Sequence, residues 1–487
     1  MKLIHFFTKE VFSFGAIGMM LVGSMGCKKF VQIKPPISEI AAATVFADNT
    51  SAEAAMTGIY SNMMNGATST LSSGNASISY CQGLAADELT DYNSAIAVFS
   101  QFYKNELTSS NGGASNDYYW SELYSDIYAA NSVIQGLESS ASVTTSVKQQ
   151  LMGEALFVRA FMHFYAVNLY GPVPIVTTTN YQTNNTIHRS PVNQVYEQIL
   201  KDLEAAQADL SANFVDQTGL STSERTRPNQ GAATALLART FLYTGQWDSA
   251  KIESSMLINN GAQYSLLPNL SNVFLANSTE AIWQLEPVDP GYNTFDGYYF
   301  ILTSAPGNSQ FSVALSSYLL QAFEPGDLRY QNWIDSIIVG STTYYYPYKY
   351  KVGTYNTNNP VTEYTMVFRF AEQYLIRAEA EANMGDSTDA ISDLDVIRTR
   401  AGLANYDPTI NSPLLGAILH ERQVELFTEW GHRWFDLIRT GNISTVLGSP
   451  GNICQAKGGN WNVDWELLPL PLSETQINSN LTQNAGY

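Results

Sequence analysis

Apolar side chains recur at three- and four-residue steps along much of this chain, the spacing of helices that bury one face. Ala52 to Met64 reads as a first helical window. Trp120, Tyr124, Ile127, Tyr128 and Ile134 share one stripe and predict a second helix. Val147 to Tyr170 predicts a longer one. It is stopped by Gly171-Pro172-Val173-Pro174, since glycine takes the turn out of a helix and proline cannot continue it. Val195 to Leu210 and Gly231 to Tyr243 add two more. Towards the C-terminus Val424, Phe427, Gly431, Trp434 and Ile438 alternate three- and four-residue steps, predicting one continuous helix with a buried stripe. Glu429 with Arg433, Arg433 with Asp436, and Asp436 with Arg439 stand on neighbouring turns of that helix and are expected to pair there, partly buried.

Two long stretches lose this rhythm. Residues 66–117 are rich in Ser, Asn, Gly and aromatics and read as irregular chain around a single short helix. Residues 260–365 break it again: Glu280 to Leu285 reads as a short strand, a Gly-, Pro- and Tyr-rich run spans Pro287 to Gly307, and Tyr344-Tyr345-Tyr346 follows. Segments this long without regular structure are often functional, and their aromatic richness argues for function here. Ala238, Gly245 and Ala250 are matched by Ala378, Gly385 and Ala390 at the same spacing. Small residues there let two antiparallel helices approach around a tight turn, as in tetratricopeptide-like hairpins. The expected fold is mainly α: a helical-hairpin scaffold with loop-rich regions and minor short β-strands.

Hydrophobic residues make up 45% of the chain, enough for a sizeable core, whereas only 14% are charged, against roughly 25% in an average globular protein. Asn, Ser, Thr, Gln and Tyr carry the polarity instead, a surface suited to neutral hydrogen bonds and to life outside the cell. The net charge of -19, with no basic block, excludes nucleic acid as a partner.

At the N-terminus Lys2 and Lys9 flank a short n-region, and Val11 to Gly26 is apolar but short for a membrane span. It ends in Ser24-Met25-Gly26-Cys27, the small-residue pattern that lipoprotein processing uses. Residues 1–26 are expected to be a signal peptide, Cys27 the acylated N-terminus, and 27–38 a tether. Residues 39–487 then form one unit: 39–255 with the loop 66–117, and 256–487 with the loop-rich insertion 260–365. Cys81 and Cys454 remain; a bridge between them is open to the chain, but two cysteines without local spacing make no framework. No HExxH, GxSxG, Walker loop, GxGxxG or CxxC is present, and His163, His188, His420 and His432 are not spaced as metal ligands. Each reads as an ordinary core or surface histidine. No cofactor, metal or catalytic residue is expected.

Several separated motifs occur in a telling order. Gly153 to Ala160 leads into Tyr170-Gly171-Pro172-Val173-Pro174; Asp202 to Ala206, Ala233 to Trp247 and Phe368 to Ala380 follow. Glu421 to Leu426 with Gly431 to Arg439 comes next, then Leu468-Pro469-Leu470-Pro471 and Gln483 to Tyr487. Together they resemble the SusD/RagB family over nearly the whole mature chain. That resemblance implies a tetratricopeptide-like α fold, an outer-membrane, cell-surface lipoprotein, and a SusC-type TonB-dependent transporter as partner. It also implies capture of oligosaccharides, or of peptides in some members.

Sugar rings offer apolar faces rimmed by hydroxyls. Flat aromatic rings cover those faces, and Asp, Asn or Gln pair the hydroxyls. Candidates are therefore loop aromatics outside the helical stripes, in two regions: one where the resembling family places part of its ligand site, and one that matches its variable loop region. One holds Asp87, Tyr92, Asn93 and Tyr103; the other holds Tyr292, Phe295 and Tyr298. Trp283, in the strand-like run, is expected in the core. A glycan-binding protein is the first expectation and a peptide binder of the same architecture the second. A secreted glycoside hydrolase comes third, since paired carboxylates can meet in three dimensions without any signature in sequence.

Overall fold

The computed structural model describes residues 44–66, 69, 71–74, 76–109, 118–358 and 360–487. The expected signal peptide, Cys27 and the tether lie outside them. Val45–Tyr487 form one compact unit.

Helix α1 (Asn49–Met64) starts where the Asp48 carboxylate accepts from Ser51 N–H at 2.9 Å, satisfying a donor that has no partner within the helix. Two short elements follow, α2 (Ile78–Ala85) and β1 (Leu89–Asp91), then α3 (Ala97–Lys104). The 66–117 stretch thus holds two helices and a strand rather than one helix.

The scaffold proper begins with α4 (Tyr118–Ser139) and α5 (Thr145–Tyr170), which ends at Gly171 in a positive-φ conformation. Helix α5 packs between α4 and α6 (Val192–Asp209). Its Arg159 donates to both oxygens of Asp202 on α6, at 2.8 and 2.6 Å, and to Asn131 on α4 at 2.8 Å. Glu154 accepts from Tyr60 of α1 at 2.8 Å and from Arg227 at 2.6 Å. Arg159 and Glu154 of α5 are therefore internal struts. His163 is also internal: it bridges Arg159 O and Val176 N, and burial pushes its imidazole down to about 4.

Helices α7 (Gln230–Tyr243) and α8 (Trp247–Ile258) form one hairpin. The second comprises α9 (Phe370–Met384) and α10 (Ser387–Arg400). Gly245 and Gly385 turn the two corners with φ of 69° and 88°, and the four matched alanines are fully buried, as their spacing predicted. The hairpins stack through Arg239, which holds Glu372 bidentately at 2.8 and 2.6 Å.

Among the described residues six short strands form three antiparallel pairs. β1 pairs with β3 (Val313–Leu315), β2 (Ala281–Leu285) with β6 (Thr365–Arg369), and β4 (Ile334–Val339) with β5 (Thr342–Pro347) in a hairpin. The 260–365 region is thus far more ordered than its composition suggested, holding among its described residues four of these strands and three short α-helices, one of them α11 (Phe295–Phe300). Trp283 is fully buried, edge-on to Phe157 at 5.0 Å and Phe161 at 5.4 Å.

The helix expected around 424–438 is two helices, α12 (Leu414–Leu426) and α13 (His432–Arg439). Thr428, Trp430 and Gly431 between them have positive φ. Only the Asp436–Arg439 pair forms as predicted, at 2.8 Å. Arg433 turns instead to Asp87, and Glu429 to Lys349 and Arg369. Cys81 and Cys454 are free and buried.

Candidate functional site

The β1–β3 pair fixes the first candidate group. Asp91 lies opposite Val313, and the N–H of Tyr92 donates to Ser312 O at 2.8 Å, so the chain leaves the ladder with Tyr92 pointing outward, 44% exposed. Its ring meets that of Tyr344 at 5.4 Å, edge to face. Asn93 N–H donates to Asp91 Oδ1 at 2.8 Å, and its side chain reaches Ser312 Oγ at 3.5 Å. Tyr103, on α3, is half-buried, with the Lys457 ammonium 5.0 Å over its ring. Lys457 also donates to Leu84 and Ala86 carbonyls, capping the end of α2.

The second group gathers on α11 and its flanks. The Tyr292 ring lies 5.0 Å from Phe295, 4.9 Å from Tyr298 and 5.0 Å from Tyr355, whose ring is 55% exposed. Tyr299 adds an edge contact to Tyr298 at 5.0 Å. Beneath, Phe300 stacks on Tyr80 of α2 at 5.6 Å and Tyr80 meets Phe99 of α3 at 4.9 Å. One buried tyrosine therefore supports both loop groups from inside.

Two expected residues face inward. Asp87 is 3% exposed, and Arg433 donates to both its oxygens at 2.8 and 2.7 Å. That guanidinium, helped by Lys457, holds the carboxyl below its usual value against the raising effect of burial. An ion pair sealed in this way presents nothing to an outside ligand. Phe295 is 8% exposed under Gly66 and Tyr299, and serves as the floor for Tyr292. Tyr355 escapes the sequence reading, and Tyr344 stands in it only as part of an aromatic run. Strand alternation through 344–348 would have placed Tyr344 on the same face as Tyr346 and Tyr348, and the Asn- and Thr-rich surroundings of Tyr355 mark a loop.

The cavity under α11, lined by Asp296, Gly297, Lys349, Thr428 and Glu429 among others, measures about 10 Å³. That is room for one water. Burial, with Glu429 nearby, pushes Asp296 up to about 7. Among the described residues no group of three His, Cys, Asp or Glu converges as a metal site.

Stacked helical hairpins carry, beside them, a loop region with exposed aromatic rings. A model described as the SusD family matches residues 280–487, and one described as starch-binding associating with outer membrane matches 40–242. The chain belongs to the SusD/RagB family. It is 28% identical over 422 residues to SusD-like protein P2 of Formosa agariphila, covering 76% of this chain and 80% of that one. Starch-binding protein SusD of Bacteroides thetaiotaomicron is 33% identical over 126 residues, 25% of this chain and 21% of that one. A laminarin binding SusD-like protein superposes with a TM-score of 0.73 at 24% identity, covering 91% of this chain and 100% of that one. A SusD superfamily protein of Bacteroides vulgatus gives 0.75 at 21%, over 90% and 99%.

Proposed function

We propose that this protein captures oligosaccharides at the cell surface and breaks no bond. In this reading residues 1–26 are removed, Cys27 carries the acyl anchor to the outer membrane, and residues 27–38 are the tether. The captured glycan passes to a SusC-type TonB-dependent transporter. The observation that carries the proposal is the edge-to-face pair of exposed Tyr92 with half-buried Tyr344 of β5, two rings far apart in sequence. Rings fixed from beneath lose little freedom when a sugar face settles on them, so stacking is not offset by ordering cost. Tyr292, Tyr298 and Tyr355 extend the same chemistry, with Asn93 as a hydroxyl partner. Starch- and laminarin-binding relatives support the carbohydrate class.

Native affinity gels containing polysaccharides test this, comparing wild type with Tyr92→Ala and Tyr298→Ala. Each substitution should weaken retention by about tenfold, the loss of one stacked ring. Unchanged retention in both variants would refute the site. New reducing ends on incubation with polysaccharide would refute a pure binder.

A further inference from the structure

We propose that the tyrosine surface selects uncharged over anionic carbohydrate, with Asp91 both accepting sugar hydroxyls and excluding carboxylates and sulfates. This rests on the carbohydrate reading above. Asp91 ends β1 at the foot of Tyr92. Its Oδ1 holds the Asn93 N–H, whereas Oδ2 accepts no hydrogen bond among the described residues. The carboxylate is half-buried and next in the chain to the exposed Tyr92, and its free oxygen can accept a hydroxyl.

The cations are directed elsewhere. Lys349 donates to Glu425 O, Phe427 O and Glu429; Lys351 to Asn332 O and Tyr348 O; Lys457 to the end of α2; and Arg433 to Asp87. Among the described Lys and Arg side chains only Lys104 and Lys201 make no hydrogen bond or ion pair. Lys201 stands exposed on α6; burial raises the Asp91 carboxyl, and Lys104 at the end of α3 acts against that rise. Recognition of sulfate or uronate needs desolvated Arg or Lys forks. A half-buried carboxylate next to Tyr92, on a chain of net charge -19, instead disfavours a polyanion.

The test uses affinity gels at low ionic strength with polysaccharides in matched forms, neutral and carboxymethylated or sulfated. The proteins are wild type and Asp91→Asn, an isosteric change that keeps the Oδ1 acceptor for Asn93. Wild type should retain a neutral form at least about tenfold more tightly than its anionic twin. Asp91→Asn should weaken neutral binding and narrow that gap, with its circular dichroism spectrum unchanged. Equal or tighter binding of the anionic form, or a gap that Asp91→Asn leaves intact, would overturn the selectivity while leaving the carbohydrate reading standing. Retention of no carbohydrate in either form would overturn both.

Discussion

Asp126 shows what burial does to one carboxyl. It sits on α4 with Oδ2 unpartnered among the described residues, and burial, with Glu122 beside it, pushes it up to about 8 from 3.8. A folded value above the unfolded one means the neutral acid contributes stability fully present below about 3.8 and lost as pH rises through about 8. Asp126→Asn removes that titration. Thermal melts should show the variant more stable than wild type above pH 8, by roughly 1–3 kcal/mol, with no such gain in acid. Equal melting at alkaline pH would rule out the burial account. Asp87 is the opposite case at the same scale: equally buried, but kept charged by Arg433.

At the level of elements, the break between α12 and α13 is the most informative departure from periodicity. Val424, Phe427 and Trp434 are buried as their stripe predicted, yet the helix does not run through them. Partners from distant segments replace the helical hydrogen bonds. Glu88 takes the Thr428 N–H at 3.2 Å, Ser79 takes the Trp430 N–H at 2.9 Å, and Lys349 donates to Phe427 O at 2.8 Å. Gly431 sits in this break with φ of 73°, and a Cβ there would stand 3.1 Å from Gln82. Gly431→Ala should cost about 1–2 kcal/mol in urea unfolding. Gly58, in the middle of α1 with nothing within 4 Å of a Cβ, should give the opposite sign: Gly58→Ala gains roughly 0.5–1 kcal/mol. Shifts of the same sign would contradict the conformational explanation.

Over the whole molecule, buried charges tie the C-terminal hairpin to the loop region. Glu425 accepts from Arg329 at 3.0 Å, Arg369 at 2.5 Å and Arg400; Glu280 and Glu421 complete the cluster. Burial raises Glu425, but Arg400, Arg369 and Arg329 together hold it well below 4.5. Its folded value is depressed, so its contribution is present above about 4.5 and lost as pH falls through the folded value. Glu425→Gln should lose about 3–5 kcal/mol at neutral pH, because three buried guanidiniums lose their common anion. Its stability should also fall less steeply with acid than that of wild type. Denaturant titrations at neutral and acid pH measure both, and a neutral-pH loss below about 1 kcal/mol would refute the shared-acceptor role.

The chain by itself determined the long helices, the two alanine-and-glycine hairpins and the burial of Trp283, because each depends on spacing within one segment or on apolar character. It also marked the two aromatic regions. Tertiary structure alone decided that Asp87 turns inward to Arg433, that Tyr92 meets Tyr344, that Phe295 is floor rather than contact, and that the 424–438 stripe is split. These outcomes depend on partners hundreds of positions away, and local periodicity carries no record of which distant donor or ring will arrive.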